Sequence, residues 1–278
     1  YQDQVVLLTG ATGFLGKVVL ERMLWEFGDS VRELRVLIRG DAPKRLAALW
    51  PLEIFDRLRA RHGGQAGFLA WVETRAVACT GDIEIDRLGL DDAAFAALKR
   101  GLHMIIHCAA LVSWDVRLDR SINANTLGTA RLLELCEGSA GGEPSTVTHF
   151  QYCGTAFVHG QRCKRTASGA KCAEALFHPD TSIMAELHPE SAPTFSVESE
   201  IEAAQAFARE AEARGGPVGA AAVALREEAA KRALAGGGRK SEAEIAEALR
   251  QKVVDDEIAD WGVRRAQSHG WTDNYTFS

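Results

Sequence analysis

The stretch that most restricts what this chain can fold into is its opening. A β-prone apolar run, Gln4-Val5-Val6-Leu7-Leu8, passes through Thr9-Gly10-Ala11-Thr12-Gly13-Phe14-Leu15-Gly16 into a helical pattern from Lys17 to about Phe27. Strand, glycine turn and helix in that order bring backbone N–H groups and the positive end of a helix to one point. Gly10, Gly13 and Gly16 carry no side chain to keep a pyrophosphate away from those donors. The spacing is GxxGxxG, not the GxGxxG of the commonest dinucleotide-binding turns.

Four further apolar runs follow, at Leu34–Ile38, Val72–Cys79, Met104–Ala110 and Thr146–Tyr152, and segments of helical length separate them, one of them near 121–137. Strands that alternate with helices predict an α/β fold, a doubly wound parallel sheet of the Rossmann kind. After Gln161 the rhythm changes. Helical patterns near 198–213, 219–235 and 241–260 are separated by Gly215-Gly216-Pro217 and Gly236-Gly237-Gly238, and Ser241 with Glu244 reads as a capping box. The expected organisation is a Rossmann domain over 1–160, a long helical insertion over 161–270 that serves as a solvated appendage or a lid, and a final segment over 271–278.

Composition narrows the setting. A net charge of −6 argues against a nucleic-acid binder, whose affinity comes largely from neutralising phosphates. No apolar run approaches the about 20 residues of a bilayer span, and no export signal opens the chain. The six cysteines form no CxxC pair and no zinc spacing, so no metal site is expected, and a reducing, cytoplasmic setting is. The first residue is Tyr1 and not Met, which reads as an excerpt of a longer polypeptide.

Cofactor choice is read at the end of the second strand, where an acidic residue accepts hydrogen bonds from a free ribose 2′-hydroxyl. Arg39 stands there instead, and its fork of donors suits a 2′-phosphate, which favours NADPH over NADH. Lys44 and Arg45 are either helpers or the start of a solvated helix. Asp82 and Ile83 follow the third strand, beside the adenine. Ala109 and Ala110 follow the fourth and are small enough for a cofactor to pass close; ordinary turn and packing chemistry also accounts for these four.

Thr9 to Lys17, Asn125-Thr126-Leu127-Gly128-Thr129, Gly154 to Gly160 and the final Asn274-Tyr275-Thr276-Phe277-Ser278 resemble the extended short-chain dehydrogenase/reductases. Within them, TGATGFLGK and NYTFS look most like fatty acyl-CoA reductases, with carrier-protein thioester reductase domains close behind. The resemblance covers 1–160 and 271–278, and it implies that 271–278 return to the Rossmann active site. It implies that Thr9, Gly10, Thr12, Gly13, Phe14, Leu15 and Gly16 contact the cofactor, as does Tyr275. It also implies that Tyr275 donates a proton to the developing oxyanion, Thr155 hydrogen-bonds the same oxygen, and Asn125 supports the geometry. A lysine four residues after the tyrosine lowers its pKa in the family. Here that position is the one after Ser278, and the reading is a chain cut before its lysine and its substrate-binding part. Gly154 stands where the family often has Ser.

The implied reaction is NADPH-dependent reduction of a long-chain acyl-CoA to aldehyde and on to alcohol. The alternatives are a reductase of carrier-protein-bound thioesters and a non-catalytic NADP-binding regulatory protein. A lipid substrate would make peripheral membrane contact natural. Arg162, Lys164, Arg165 and Lys171 form a basic stretch that either meets an acidic partner or lies in a solvated loop. His107 reads as a packed strand residue, and neither it nor His159 is given a role.

Overall fold

Val5–Thr9 form strand β1, buried along its whole length, because both faces of the sheet are covered. The computed structural model describes residues 1–138, 144–159, 182, 195–217, 220–235 and 241–278. Contacts divide the chain into two units, Tyr1–Leu111 with Asn123–Gly154, and Val112–Ile122 with Thr155–Ser278.

In the first unit, β1 is followed by α1 (Phe14–Phe27), β2 (Glu33–Ile38), α2 (Ala42–Ala47), α3 (Asp56–Arg61), α4 (Gln65–Val72), β3 (Ala76–Thr80), α5 (Asp92–Lys99) and β4 (Met104–His107). All strands pair in parallel, in the order β3-β2-β1-β4-β5, with β5 at His149–Tyr152. Alternate residues of β1 feed opposite layers. Val6 and Leu8 pack with Leu20 and Leu24 of α1 and with Trp50, Phe55 and Phe68, whereas Val5 and Leu7 pack with Phe95 and Leu98 of α5 and with Leu132 and Leu135. The doubly wound parallel sheet expected from the sequence is present. β3 starts later than the apolar run suggests, because Val72 closes α4, and β4 stops at His107.

The helix expected near 121–137 is broken. Leu118–Ser121 form α6, Ile122–Leu127 a π-turn, Gly128–Leu133 α7 and Glu134–Cys136 a tight 3₁₀ turn. The extra residue of the π-turn accompanies three hydrogen bonds of Asn125. Asn125 spends its amide on Leu111, accepting from its N–H at 2.8 Å and donating to its C=O at 3.1 Å, and the Thr129 hydroxyl donates to the Asn125 carbonyl at 2.6 Å.

The second unit contains α6, α8 (Val197–Arg214), α9 (Ala220–Ala235), α10 (Glu242–Ser268) and α11 (Asn274–Phe277). Ser241 and Glu244 close the capping box of α10, which runs eight residues beyond the expected 260. Ala208 and Ala211 of α8 meet Val254 and Ile258 of α10, and Phe207 stacks on Trp261 with centroids 4.7 Å apart. No helix among the described residues is long and apolar enough to cross a membrane.

Residues 112–122 pack with these helices, and Arg117 is one of the residues that hold them there. Its guanidinium is buried and holds three carboxylates, Asp119 at 2.8 Å, Glu212 at 2.7 Å and Asp255 at 2.8 Å. Removing it strands those charges. Arg117→Met is expected to cost about 2–3 kcal/mol, less than the about 3–5 of a fully buried pair because Glu212 and Asp255 stay partly solvated. Urea unfolding of the intact protein, followed through the helical signal, measures it.

Candidate functional site

β1 is followed by Gly10, whose φ of +74° belongs to the left-handed region. A Cβ there would lie 2.6 Å from both Ala109 N and Cys108 C, so the turn after β1 presses directly on the backbone after β4. At Gly16 a Cβ would come within 2.0 Å of the Gly10 carbonyl oxygen, so the first turn of α1 can close over Gly10 only without a side chain. α1 begins at Gly13 with no capping side chain and no acidic residue in its first turn. Its unpaired N–H groups and dipole favour an anion at that end.

A cavity of about 240 Å³ opens there. Among the residues nominated from the sequence, Thr9, Gly10, Thr12, Gly13, Arg39, Asp82, Ile83, Ala109 and Ala110 line it. Phe14 and Leu15 open α1 with exposed side chains and offer the site their backbone N–H groups, and Gly16 is buried. Asn125 lies in the same unit and holds Leu111, itself a lining residue. Tyr275 and Thr155 belong to the second unit.

Arg45, one of the two possible helpers of Arg39, also lines the cavity, as does Glu84, which the sequence did not single out. The Arg39 guanidinium is 3.2 Å from the Glu84 carboxylate, and Arg45 donates to the Arg39 carbonyl at 2.6 Å. Asp41 caps α2 by accepting from Lys44 N at 3.1 Å. Lys44 is thus a helix-start residue, while Arg45 reaches the cavity. The loop after β3 is anchored by Arg131, which donates to Ile83 O at 3.0 Å and to Asn123 O at 3.1 Å.

Beneath the turn runs a polar thread through the core. Thr9 and His107 are register partners on β1 and β4, with Oγ1 and Nδ1 2.7 Å apart. His107 Nε2 lies 3.2 Å from the Thr129 hydroxyl, which donates to the Asn125 carbonyl. A hydroxyl has one proton, so Thr129 accepts from His107 Nε2–H, His107 Nδ1 accepts from Thr9, and Thr9 Oγ1 in turn accepts from Ala109 N at 3.2 Å. One neutral tautomer satisfies the whole thread, in keeping with burial, which lowers the His107 pKa to about 4. Cys108, the next residue, faces Cys153 across the strands with sulfurs 3.3 Å apart.

In the second unit Asp273 caps α11 by accepting from Thr276 N at 2.9 Å, and buried Asn274 donates to Val116 O at 2.7 Å and Ala259 O at 3.0 Å. Gly262 of α10 leaves the room for Asn274, since a Cβ there would fall 2.5 Å from its Oδ1. Tyr275 is thereby held half-buried, with Trp114 edge-on to its ring at 5.1 Å. Trp114 also meets exposed Phe157 at 5.2 Å. Thr155 accepts from Phe157 N at 3.2 Å. The basic stretch from Arg162 to Lys171 and Gly160 lie outside the described residues, as do Cys163 and Cys172.

A family model described as Male sterility protein, an NAD-binding domain, matches residues 8–278. Fatty acyl-CoA reductase 1 of Gallus gallus is 31% identical over 166 residues, covering 58% of this chain and 30% of that protein. The chloroplastic fatty acyl-CoA reductase 2 of Arabidopsis thaliana is 29% identical over 168 residues, covering 58% of this chain and 26% of that protein. The chain thus matches under a third of the length of these relatives. Among solved structures, the terminal R domain of the myxalamid PKS-NRPS pathway is 27% identical with a TM-score of 0.43, covering 57% of this chain and 36% of that one. The reductase domain of a non-ribosomal peptide synthetase from Mycobacterium tuberculosis is 27% identical with a TM-score of 0.43, over 56% and 34%. The uncapped end of α1, the close glycine approach and the small Ala109-Ala110 wall fit a nicotinamide dinucleotide.

The neutral thread has a pH signature. The His107 pKa is about 4 folded against an ordinary 6.5, so the stability it contributes is complete above about 6.5 and is lost as pH falls through about 4. The full span is about 3 kcal/mol. Urea midpoints between pH 7 and pH 4 should fall more steeply for the unsubstituted protein than for His107→Gln, and parallel curves would count against a neutral buried His107.

Proposed function

The chain belongs to the male sterility protein family of NAD-binding domains, and on that premise we propose that it reduces a long-chain fatty acyl-CoA thioester with NADPH, to the aldehyde and on to the alcohol. The observation that carries the substrate is the likeness of 166 residues to fatty acyl-CoA reductase 1 of Gallus gallus at 31% identity. The observation that carries the cofactor form is Arg39, an arginine on the cavity wall after β2 where preference for a free 2′-hydroxyl would call for a carboxylate.

Gly10, Gly13 and Gly16 let the amino end of α1 take the pyrophosphate, Arg39 and Arg45 meet the 2′-phosphate, Asp82 and Ile83 flank the adenine, and Ala109 and Ala110 leave the dinucleotide its path. Thr9 and Thr12 line the same wall. Asn125 keeps the loop at Leu111 in place by its two amide bonds. Bound NADPH supplies a hydride to the thioester carbonyl carbon. Tyr275 donates its phenolic proton to the carbonyl oxygen as that oxygen gains charge. Thr155 adds a hydrogen bond to the same oxygen, its hydroxyl proton being available because its contact with Phe157 N uses a lone pair. The carbon–sulfur bond then breaks as the new hydroxyl gives up its proton, the leaving sulfur takes up a proton so that coenzyme A departs as the thiol, and the aldehyde remains for a second reduction. The protein is proposed to work in the cytoplasm, touching the membrane peripherally where its lipid substrate resides.

The test is acyl-CoA-dependent NADPH oxidation by the protein in its natural length. Tyr275→Phe is expected to lower kcat by about 10²–10⁴ with little change in the KM for NADPH, and Thr155→Ala by about 10-fold or more. Saturation by acyl-carrier protein but not by acyl-CoA would replace the substrate, and oxidation with neither would leave a non-catalytic NADP-binding protein.

A further inference from the structure

We propose that Glu84 is a specificity-determining residue that restrains the preference for a 2′-phosphate by holding the Arg39 guanidinium, a proposal that rests on reading the cavity as a nicotinamide dinucleotide site. β2 and β3 run in parallel with Ile38 opposite Thr80, so Arg39 and the loop after Thr80 emerge side by side at the same end of the sheet. Arg39 Nη1 and Glu84 Oε1 lie 3.2 Å apart on the cavity wall.

The platform under that carboxylate is fixed. Glu84 N donates to Asp82 Oδ1 at 3.0 Å, and Glu84 O accepts from Asn123 Nδ2 at 2.9 Å. Asn123 is held in turn by Arg131, whose Nη2 donates to its Oδ1 at 3.0 Å. Arg39 is the exposed, rotatable partner, and Glu84 is the half-buried one on a pinned backbone. The carboxylate therefore stays near the cavity when the guanidinium turns.

Charge decides the consequence. The charged side chains on the wall are Arg39, Arg45, Asp82 and Glu84, two of each sign, so the cavity is not the strongly cationic pocket that Arg39 alone suggests. A 2′-phosphate has to draw Arg39 from Glu84 and then remain beside that carboxylate, and unit charges a few ångström apart in a half-solvated site still interact appreciably. A 2′-hydroxyl meets the opposite situation, since it can donate to the same carboxylate. Glu84 thus penalises NADPH and favours NADH, which leaves the protein a narrower preference than Arg39 would impose.

Direct binding tests this without turnover. NADPH and NADH are titrated into the full protein and into Glu84→Gln, Glu84→Ala and Arg39→Gln, following reduced-nicotinamide fluorescence at low and moderate salt. Both Glu84 variants are expected to bind NADPH roughly fivefold tighter and NADH no tighter, with the gain shrinking as salt rises. Arg39→Gln is expected to weaken NADPH roughly tenfold and leave NADH within a factor of two. A Glu84→Gln protein that loses NADPH affinity as Arg39→Gln does would make Glu84 a support for Arg39 and overturn the proposal. An unchanged NADPH-to-NADH ratio would overturn it too, with the cavity reading intact. Absence of saturable binding of either dinucleotide to the unsubstituted protein would overturn the cavity reading and the proposal together.

Discussion

The contact on which the first unit depends is backbone against backbone, where Gly10 at the end of β1 lies against Cys108 and Ala109 at the end of β4. β1 is the central strand, and the order β3-β2-β1-β4-β5 means that the chain winds to one side from β1 and then to the other. Two neighbouring strands whose connections leave in opposite directions open a crevice between them at their carboxyl ends. The cavity is at that switch point, and its walls follow from the winding: β2 contributes Arg39, the loop after β3 contributes Asp82 to Glu84, and the loop after β4 contributes Ala109 to Leu111. Any side chain at Gly10 would force these ends apart.

The core beneath that turn carries the polar thread as well as the apolar layers. Thr9, His107 and Thr129 pass donation in a single direction, from Ala109 N–H to the carbonyl of Asn125. Such a thread is costly if one member is unpaired and rigid when all are paired. It links β1, β4 and the π-turn, and Asn125 extends the linkage to Leu111 through its side chain. The same residues that close the turn therefore fix the wall beside it.

Much of this was legible in the sequence, and what was legible is local. The glycine turn, the five apolar runs and the capping box of Ser241 and Glu244 announce themselves within a few residues. What was not legible joins positions far apart in the chain. Arg39 meets Glu84 only because β2 and β3 are neighbours in register, and Thr9 meets His107 only because β4 lies beside β1. The helix expected near 121–137 has an ordinary helical composition, and its π-turn accompanies the bonds of Asn125 to Leu111. Arg117 draws residues 112–122 to the second unit through carboxylates about a hundred or more residues later, at Glu212 and Asp255. Phe14 and Leu15 stand in the first turn of α1 with exposed side chains, so the contact the resemblance implies for them falls to their backbone N–H groups.

In the proposed reaction a thioester is reduced at the expense of a nicotinamide, and the atoms can be counted. With the protein in its natural length, NADPH and a long-chain acyl-CoA, absorbance at the reduced-nicotinamide band is followed together with free thiol trapped by a chromogenic disulfide reagent. Reduction to aldehyde releases one thiol for each NADPH consumed, and reduction on to alcohol releases one for every two. Thiol released without NADPH consumption, as in simple hydrolysis, or NADPH consumed without thiol, would rule that reaction out.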